Sequence, residues 1–284
     1  MNEYPLFKRF SLGLIWIWLT VFAFLPIVLV ITASLLHRDS MTLLRLPFTV
    51  TNYLHLFNNA YVKIFLKSFE IAGLSTLLCL LIAYPFAYLI AQTKVKYRSL
   101  LLLLVIIPFW TSSLIRTYAI MALLKTKGIL NQFLLITGII HHPLQLLYTE
   151  TAVFIGLVYD LLPFMILPLY ANIEKLDHTL VDAARDLGAK KITIFLRIIL
   201  PLTMPGILAG IMLVFLPAMT LFFVPVMLGG SKTMLLGNLI QNQFLTSNNW
   251  PMGAATSVCL LLIMAVLIAI YWRNSKSENR QDLV

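Results

Sequence analysis

The chain has 284 residues, 60% of them hydrophobic and 11% charged, with a mean hydropathy of +0.92. Soluble domains carry about 25% charged residues, so there is too little charge to cover the two globular surfaces that the length would allow. Lipid is therefore the solvent for most of the chain. The net charge of +10 does not argue for nucleic acid, because no basic patch interleaved with aromatics and no recognisable binding module is present. In a membrane protein, basic residues instead gather in cytoplasmic loops and fix orientation. Cys79 and Cys259 lie inside apolar runs and read as small buried hydrophobes rather than as a disulfide.

A helix that crosses the hydrocarbon core needs about 20 mostly apolar residues. Six stretches qualify: 11–36, 71–93, 99–124 (interrupted by Arg116), 151–173 (containing Asp160), 202–228 and 252–272. The expected fold class is an all-α polytopic membrane protein of six helices in a single domain. The first stretch is too long for the ~7–15-residue core of a signal peptide and no small-x-small cleavage site follows it, so a retained span is expected. Six spans put both termini on one side. Cytoplasmic termini place most of the Lys and Arg inside, led by the cluster Lys94-Val-Lys96-Tyr-Arg98 between two closely spaced helices. Prolines recur within the spans (Pro26, Pro85, Pro108, Pro163, Pro168, Pro205, Pro217 and Pro225). Each removes a backbone donor and bends its helix unless it sits in the first turn, which suits helices curved around a cavity.

The loop after the fourth span has a character of its own. Thr179 is expected to N-cap a short helix, with Asp182 three residues on in a capping-box arrangement. Leu180, Ala183, Ala184 and Leu187 share one face, Asp182, Arg185 and Asp186 the other, and Gly188 stops the helix before Lys190 and Lys191. Such a helix either receives a partner whose backbone approaches the small residues, or rests on lipid headgroups. Residue physics leaves both open.

Asp182-Ala-Ala-Arg-Asp-Leu-Gly188, then nine residues, then Ile198-Ile-Leu-Pro201, resembles the loop of ABC importer permeases that reads Glu-Ala-Ala, three residues, Gly, nine residues, Ile-x-Leu-Pro. Asp182 stands where that family has Glu, while Ala183, Ala184, Gly188, Ile198, Leu200 and Pro201 match. The resemblance implies that 174–201 holds a coupling helix, with Asp182, Ala183, Ala184, Arg185, Asp186, Leu187 and Gly188 engaging an ATP-binding subunit. Further stretches, Ile106-Ile-Pro-Phe-Trp-Thr-Ser-Ser-Leu-Ile-Arg-Thr-Tyr118, Leu161-Leu-Pro-Phe-Met165, Ile173-Glu-Lys-Leu-Asp177, Asn249-Trp-Pro-Met-Gly-Ala-Ala255 and Leu216 to Pro225 followed by Leu228-Gly-Gly-Ser231, resemble the polyamine (spermidine/putrescine) permeases of this class.

That likeness implies a permease with the type I ABC importer fold in the bacterial inner membrane. Its partners would be a second permease in a heterodimer, two ATP-binding subunits and a periplasmic polyamine-binding protein. No GxxxxGK[ST] loop occurs in the chain, so ATP and Mg²⁺ are expected on the partner ATPase, with no cofactor and no metal site here and no catalytic role.

A polyamine needs acceptors and ring faces in place of water. Aromatic faces attract ammonium at about 0.5–2 kcal/mol each, and an intramembrane carboxylate must face a polar path or have a partner. Asp160, the acid inside a span, is a candidate cation-facing group with Tyr159 beside it; a pair with Arg116 or a place near the outer interface are the other readings. Trp110, Phe109 and Tyr118 are candidate aromatic walls, or an interfacial belt. Phe222 and Phe223 can offer ring faces, or pack against lipid or core. The first outer loop, His37 to Lys67, and the Gly229-Gly230 segment are expected to meet the binding protein, with Asn52, Tyr53 and Trp250 as contacts there or as loop anchors with no partner. The alternatives are a related importer for another small cationic or organic solute, or a stand-alone secondary carrier, against which no internal repeat stands out. A membrane enzyme would need a nucleophile or metal constellation, and His141-His142 has no nearby acid pair.

Overall fold

The computed structural model describes residues 5–39, 43–230 and 233–278. In chain order, α1 (Pro5–Leu19) continues through a π turn (Thr20–Phe24) into α2 (Leu25–Ser34). Strands β1 (His37–Asp39) and β2 (Leu43–Arg45) pair antiparallel, His37 opposite Arg45, before α3 (Thr51–Leu56). Then follow α4 (Asn59–Gln92), α5 (Val95–Ile106), a 3-10 turn (Ile107–Trp110), α6 (Ser113–Leu124), α7 (Ile129–Ile136) and α8 (Glu150–Ile173). The remaining helices are α9 (His178–Asp186), α10 (Lys191–Ile194), α11 (Leu200–Leu202), α12 (Met204–Thr220), α13 (Leu236–Gln241) and α14 (Trp250–Glu278), with π turns at Phe195–Ile199, Pro225–Gly229 and Asn242–Thr246.

Among the described residues, five helices are long and apolar enough to cross a membrane: Ser11–Ser34, α4, Ser113–Ile136, α8 and Trp250–Arg273. A bent pair, Lys191–Leu202 with Met204–Thr220 at 64°, makes a sixth if it counts as one span. The apolar stretch 99–124 is not one continuous helix. Pro108 lies in the first turn of the 3-10 segment, Thr111 is extended, and α6 restarts at Ser113. Likewise the stretch 202–228 is helical only to Thr220, with Pro225 opening a π turn. Of the other prolines, Pro205 occupies a first turn, where a missing donor costs little, Pro26 follows the π turn that joins α1 to α2, and Pro85, Pro163, Pro168 and Pro217 interrupt helix interiors.

The chain divides into two compact units. One holds the described residues up to Lys63 together with Leu239–Val266. In it, the end of α2 is tied by Asn52, whose Nδ2 donates to the Ser34 and Leu36 carbonyls at 2.9 Å, and by the contact of Tyr53 OH with Ser34 Oγ at 2.6 Å. Arg38 donates to the Ser247 carbonyl at 2.8 Å, and Phe244 meets Trp250 edge-on.

The other unit, Ile64–Asn238 with residues from Leu267 onward, is organised around α8. A stripe of Val153, Leu157, Leu161, Met165, Leu169 and Ile173 is buried, at the spacing of four that aligns side chains along one helix face. Its neighbour α12 approaches closely through Gly206 and Gly210: a Cβ on Gly206 would lie 2.6 Å from Asn172 Cβ. Small residues permit such contact between helices in lipid, where packing replaces the hydrophobic effect as the driving force. Cys79 of α4 is wholly buried and its thiol faces the Val158 carbonyl of α8 at 3.8 Å. The α6–α7 connection is closed by Asn131, buried, which donates to the Lys125 and Leu144 carbonyls and accepts from the Leu144 amide.

Candidate functional site

Helix α9 is capped at both ends. Asp177, not Thr179, is the N-cap: its backbone is extended and its Oδ1 accepts from the Thr179 amide at 2.9 Å. Thr179 already lies inside the helix, where its hydroxyl cannot serve that role. At the other end the Ala189 amide reaches the Ala184 carbonyl and the Gly188 amide the Arg185 carbonyl, at 3.0 and 2.9 Å. These two bonds form a Schellman motif, and Gly188 takes the left-handed φ of +75° that it requires. Asp182 does not reach back to the cap. It pairs with Arg185 one turn on at 2.8 Å, an exposed contact of a few tenths of a kcal/mol at most.

The helix's apolar residues separate into two groups. Val181 and Ala184 turn inward and pack with Ile194 and Ile199, with Tyr88, Leu176 and Ile198 around them. Leu180, Ala183 and Leu187 face outward, Leu187 at 88% exposure. Ala184, expected on the outward face with them, instead anchors the helix. An apolar cavity of about 550 Å³ opens behind α9, between Tyr84 and Tyr88 of α4 and Phe195 and Ile199, with Arg185 and Lys191 at its rim. Tyr84 is fixed there by Thr203 Oγ1 at 3.0 Å and by an edge-on contact with Phe195.

The root of this segment is clamped by Arg98, whose place in the cluster between α4 and α5 suggested only orientation. Its guanidinium donates to Glu174 Oε1 at 2.7 Å and to the Ala91 and Thr93 carbonyls, tying the α4–α5 turn to the end of α8. A hydrogen bond from the Tyr170 hydroxyl and the pair with Arg98 hold the Glu174 carboxyl below its ordinary value. A depressed carboxylate contributes stability above the unfolded-state pKa near 4.5, and that contribution is lost as pH falls through the folded value. The expected result is that Glu174→Gln lowers the thermal inactivation midpoint at pH 7, and that the gap to the parent closes below about pH 4.5. A gap that persists into acid would assign the effect to packing instead.

The second constellation lies where α6 meets α8. Asp160 and Arg116 are buried, at 3% and 8% exposure, and their charged atoms stand 3.3 Å apart. Ser113 donates to Asp160 Oδ2 at 2.5 Å. The guanidinium lies 5.0 Å from the Phe109 ring centroid and 6.0 Å from that of Tyr159. Phe109 is itself held edge-on by Phe164 at 4.9 Å. Of the readings open for Asp160, the structure shows the pair with Arg116. Ser113 and Arg116, one turn apart at the start of α6, are the partners that the acid's sequence neighbourhood does not reveal. Trp110 (79% exposed) and Tyr118 are open on the surface of this unit, and Tyr159 is partly open.

Phe222 and Phe223 meet edge-on at 5.8 Å beyond the end of α12, and the Phe222 carbonyl accepts from Asn238 Nδ2 at 2.6 Å. Phe222 is the more exposed of the two rings. Asn52 and Tyr53, expected to meet a partner, spend their polar groups on the end of α2. Gly229 is buried against Val153 and Gly230 packs on the Tyr148 ring, while Ser231 and Lys232 lie outside the described residues. Among the described residues no His, Cys, Asp and Glu cluster could hold a metal ion.

Five described helices, or six with the bent pair, long and apolar enough to cross a membrane, with one short, doubly capped helix between α8 and α12 in the chain, define the class as an integral membrane subunit. Residues 83–275 match the family described as binding-protein-dependent transport system inner membrane component, and the chain belongs to it. It is a permease subunit of the ABC importer class and not an enzyme. Among its relatives, the spermidine/putrescine transport system permease PotB of Haemophilus influenzae is 50% identical over 97% of this chain and 96% of its own. PotB of Escherichia coli K12 is 50% identical over 93% and 96%, and the inner membrane ABC transporter permease YdcU of the same organism is 32% identical over 79% and 75%. The fold matches a chain of a bacterial ABC transporter involved in import of the acidic polysaccharide alginate, with a TM-score of 0.77 and 17% identity over 97% of this chain and 96% of that one. A second structure of an alginate transporter, in complex with its periplasmic protein, matches at 0.75 and 17%, covering 95% of this chain and 96% of that one.

Proposed function

We propose that this chain forms one half of the membrane pathway of an ATP-driven importer of spermidine and putrescine. The observation that carries the reading is the 50% identity, over nearly the whole length, with two curated spermidine/putrescine permeases. Fold alone would not suffice, since the same architecture serves an acidic polysaccharide. The site chemistry agrees with a cation: Asp160 supplies a buried carboxylate, and Phe109, Trp110, Tyr118, Tyr159, Phe222 and Phe223 supply ring faces for ammonium groups.

In this reading a second permease completes the pathway and a periplasmic binding protein delivers the cargo. Of two ATP-hydrolysing subunits, which carry the nucleotide and Mg²⁺ on the cytoplasmic side, one docks against Leu180, Ala183 and Leu187 of this chain. The segment Asp182, Ala183, Ala184, Arg185, Asp186, Leu187 and Gly188 passes their closure to α8 and α12, to which it is joined at both ends. Both termini lie in the cytoplasm of an inner-membrane protein, as the basic cluster at Lys94–Arg98 directs.

The test is uptake by the complete importer, expressed in cells that lack other polyamine uptake. Saturable, ATP-dependent accumulation of radiolabelled spermidine, displaced by putrescine and untouched by neutral sugars, is expected. Transport of another solute without polyamine uptake would overturn the substrate while leaving the family.

A further inference from the structure

Asp160 and Arg116 answer each other's charge but not each other's hydrogen bonds. Asp160 Oδ1 and Arg116 Nη1 face each other at 3.3 Å as an ion pair without hydrogen-bond geometry, and the buried Arg116 Nε has no hydrogen-bond partner. A structural bolt between these residue types would be a bidentate fork with each donor and acceptor matched. Here only Oδ2 is matched, by Ser113. The cation is held instead by charge and by the Phe109 and Tyr159 rings at 5.0 and 6.0 Å. An acid with one oxygen oriented by a hydroxyl, the other met by charge alone, and two ring faces beside it is a cradle that suits an ammonium as well as a guanidinium.

Beside the cradle runs a cavity of about 490 Å³ that Arg116 and Tyr159 line together with the apolar side chains of Ile120, Leu124, Leu130, Phe133 and Ile155. Polar head and apolar walls match the two parts of a polyamine, the charged nitrogen and the methylene chain.

We propose that Arg116 is a tethered stand-in for the substrate's ammonium. It fills the Asp160 cradle between transport events, and a polyamine nitrogen displaces it during passage while the methylene chain lies along the neighbouring cavity. The inference rests on the polyamine reading above. Its physical logic is that of exchange. A bare carboxylate buried here would be costly and, once filled, would hold a polycation too tightly to release. A resident cation keeps the acid compensated at all times, so substrate binding swaps one positive group for another, and the returning guanidinium drives release. Arg116 is then a positioning residue that sets how tightly the pathway holds its cargo.

The experiment uses the assembled importer without its binding protein, and measures equilibrium binding of radiolabelled spermidine alongside uptake turnover in vesicles with saturating binding protein. R116Q is expected to tighten spermidine binding about tenfold and to slow turnover, since the competitor is gone. D160N is expected to weaken binding about tenfold or more, and R116K to keep parental turnover within about threefold. On the parent itself, saturating spermidine is expected to raise modification of Arg116 by an arginine-directed dicarbonyl reagent severalfold, because the displaced guanidinium leaves the cradle. Parental affinity in R116Q would reduce the pair to a structural element and overturn the proposal. If R116Q does not assemble, unchanged or lowered labelling of Arg116 overturns it equally. A parent complex that binds no spermidine would instead remove the polyamine reading, and this inference with it.

Discussion

A permease carrying Leu187→Arg is expected to insert, to assemble with the proposed second permease and to accept loaded binding protein, yet to lose uptake to about a tenth of the parental rate or less. Leu187 is 88% exposed, so the substitution costs the chain's own fold no more than about 0.5 kcal/mol. If an ATP-hydrolysing subunit covers this face, burying the leucine contributes about 1.5–3 kcal/mol to docking. Losing it and burying a charge in its place weakens the contact at least ten- to a hundredfold. The measurement is the yield of ATPase retained on the purified permease, together with spermidine uptake. Parental values of both would show that the exposed face of α9 is not the grip. Val181→Arg makes the contrast. Val181 packs with Ile194 and Ile199, so that variant loses folded protein rather than coupling. Two substitutions, one inside α9 and one at its C-cap, are therefore expected to fail in different ways, and the difference reports which face is whose.

The sequence carries most of this architecture because apolarity and capping are local properties. Each of the six apolar stretches contains helix, and the position of Gly188 follows from residue type alone, since a helix that ends in a left-handed turn wants the residue without a Cβ. What is not local was less legible. Asp177 and Thr179 both carry a capping oxygen two residues apart, and only the backbone angles decide which lies outside the helix. The stretch 99–124 has the composition of a span, but composition does not register the break that Pro108 and the extended Thr111 introduce. The outward and inward faces of α9 divide Leu180 from Val181, a distinction set by the partners Ile194 and Ile199 more than ten residues away. The role of Arg98 as a clamp on Glu174 likewise joins residues 76 positions apart. For the cluster at Asp160, the sequence offered Arg116 as one possible partner. The spacing of Ser113 and Arg116, one helical turn, was the available sign that both could address one group on a neighbouring helix.

Gly206→Ala is expected to cost far more folded permease than Gly210→Ala, although the two glycines lie one turn apart on the same face of α12. A methyl group on Gly206 would stand 2.6 Å from Asn172 Cβ and 3.0 Å from the Pro168 carbonyl, both fixed parts of α8. It can be admitted only by moving the helices apart, which removes contact along the whole pair and costs about 3 kcal/mol or more. On Gly210 the nearest atom is Met165 Sδ at 2.5 Å, the far end of a flexible side chain, with the Met165 carbonyl at an ordinary 3.5 Å. Methionine can rotate away, so the cost there is about 1 kcal/mol. Thermal inactivation of the detergent-purified complex reads the difference, and equal midpoints for the two variants would show that α8 and α12 slide rather than lock. The distinction bears on transport, because α8 runs directly into the segment that bears α9, and α12 follows directly from it. If the pair is rigid at Gly206, a push on α9 moves both helices as one body and reaches Asp160, halfway along α8, without being absorbed on the way. Gly206→Ala should then reduce uptake per assembled complex as well as the amount of complex, while Gly210→Ala should leave the first quantity at its parental value.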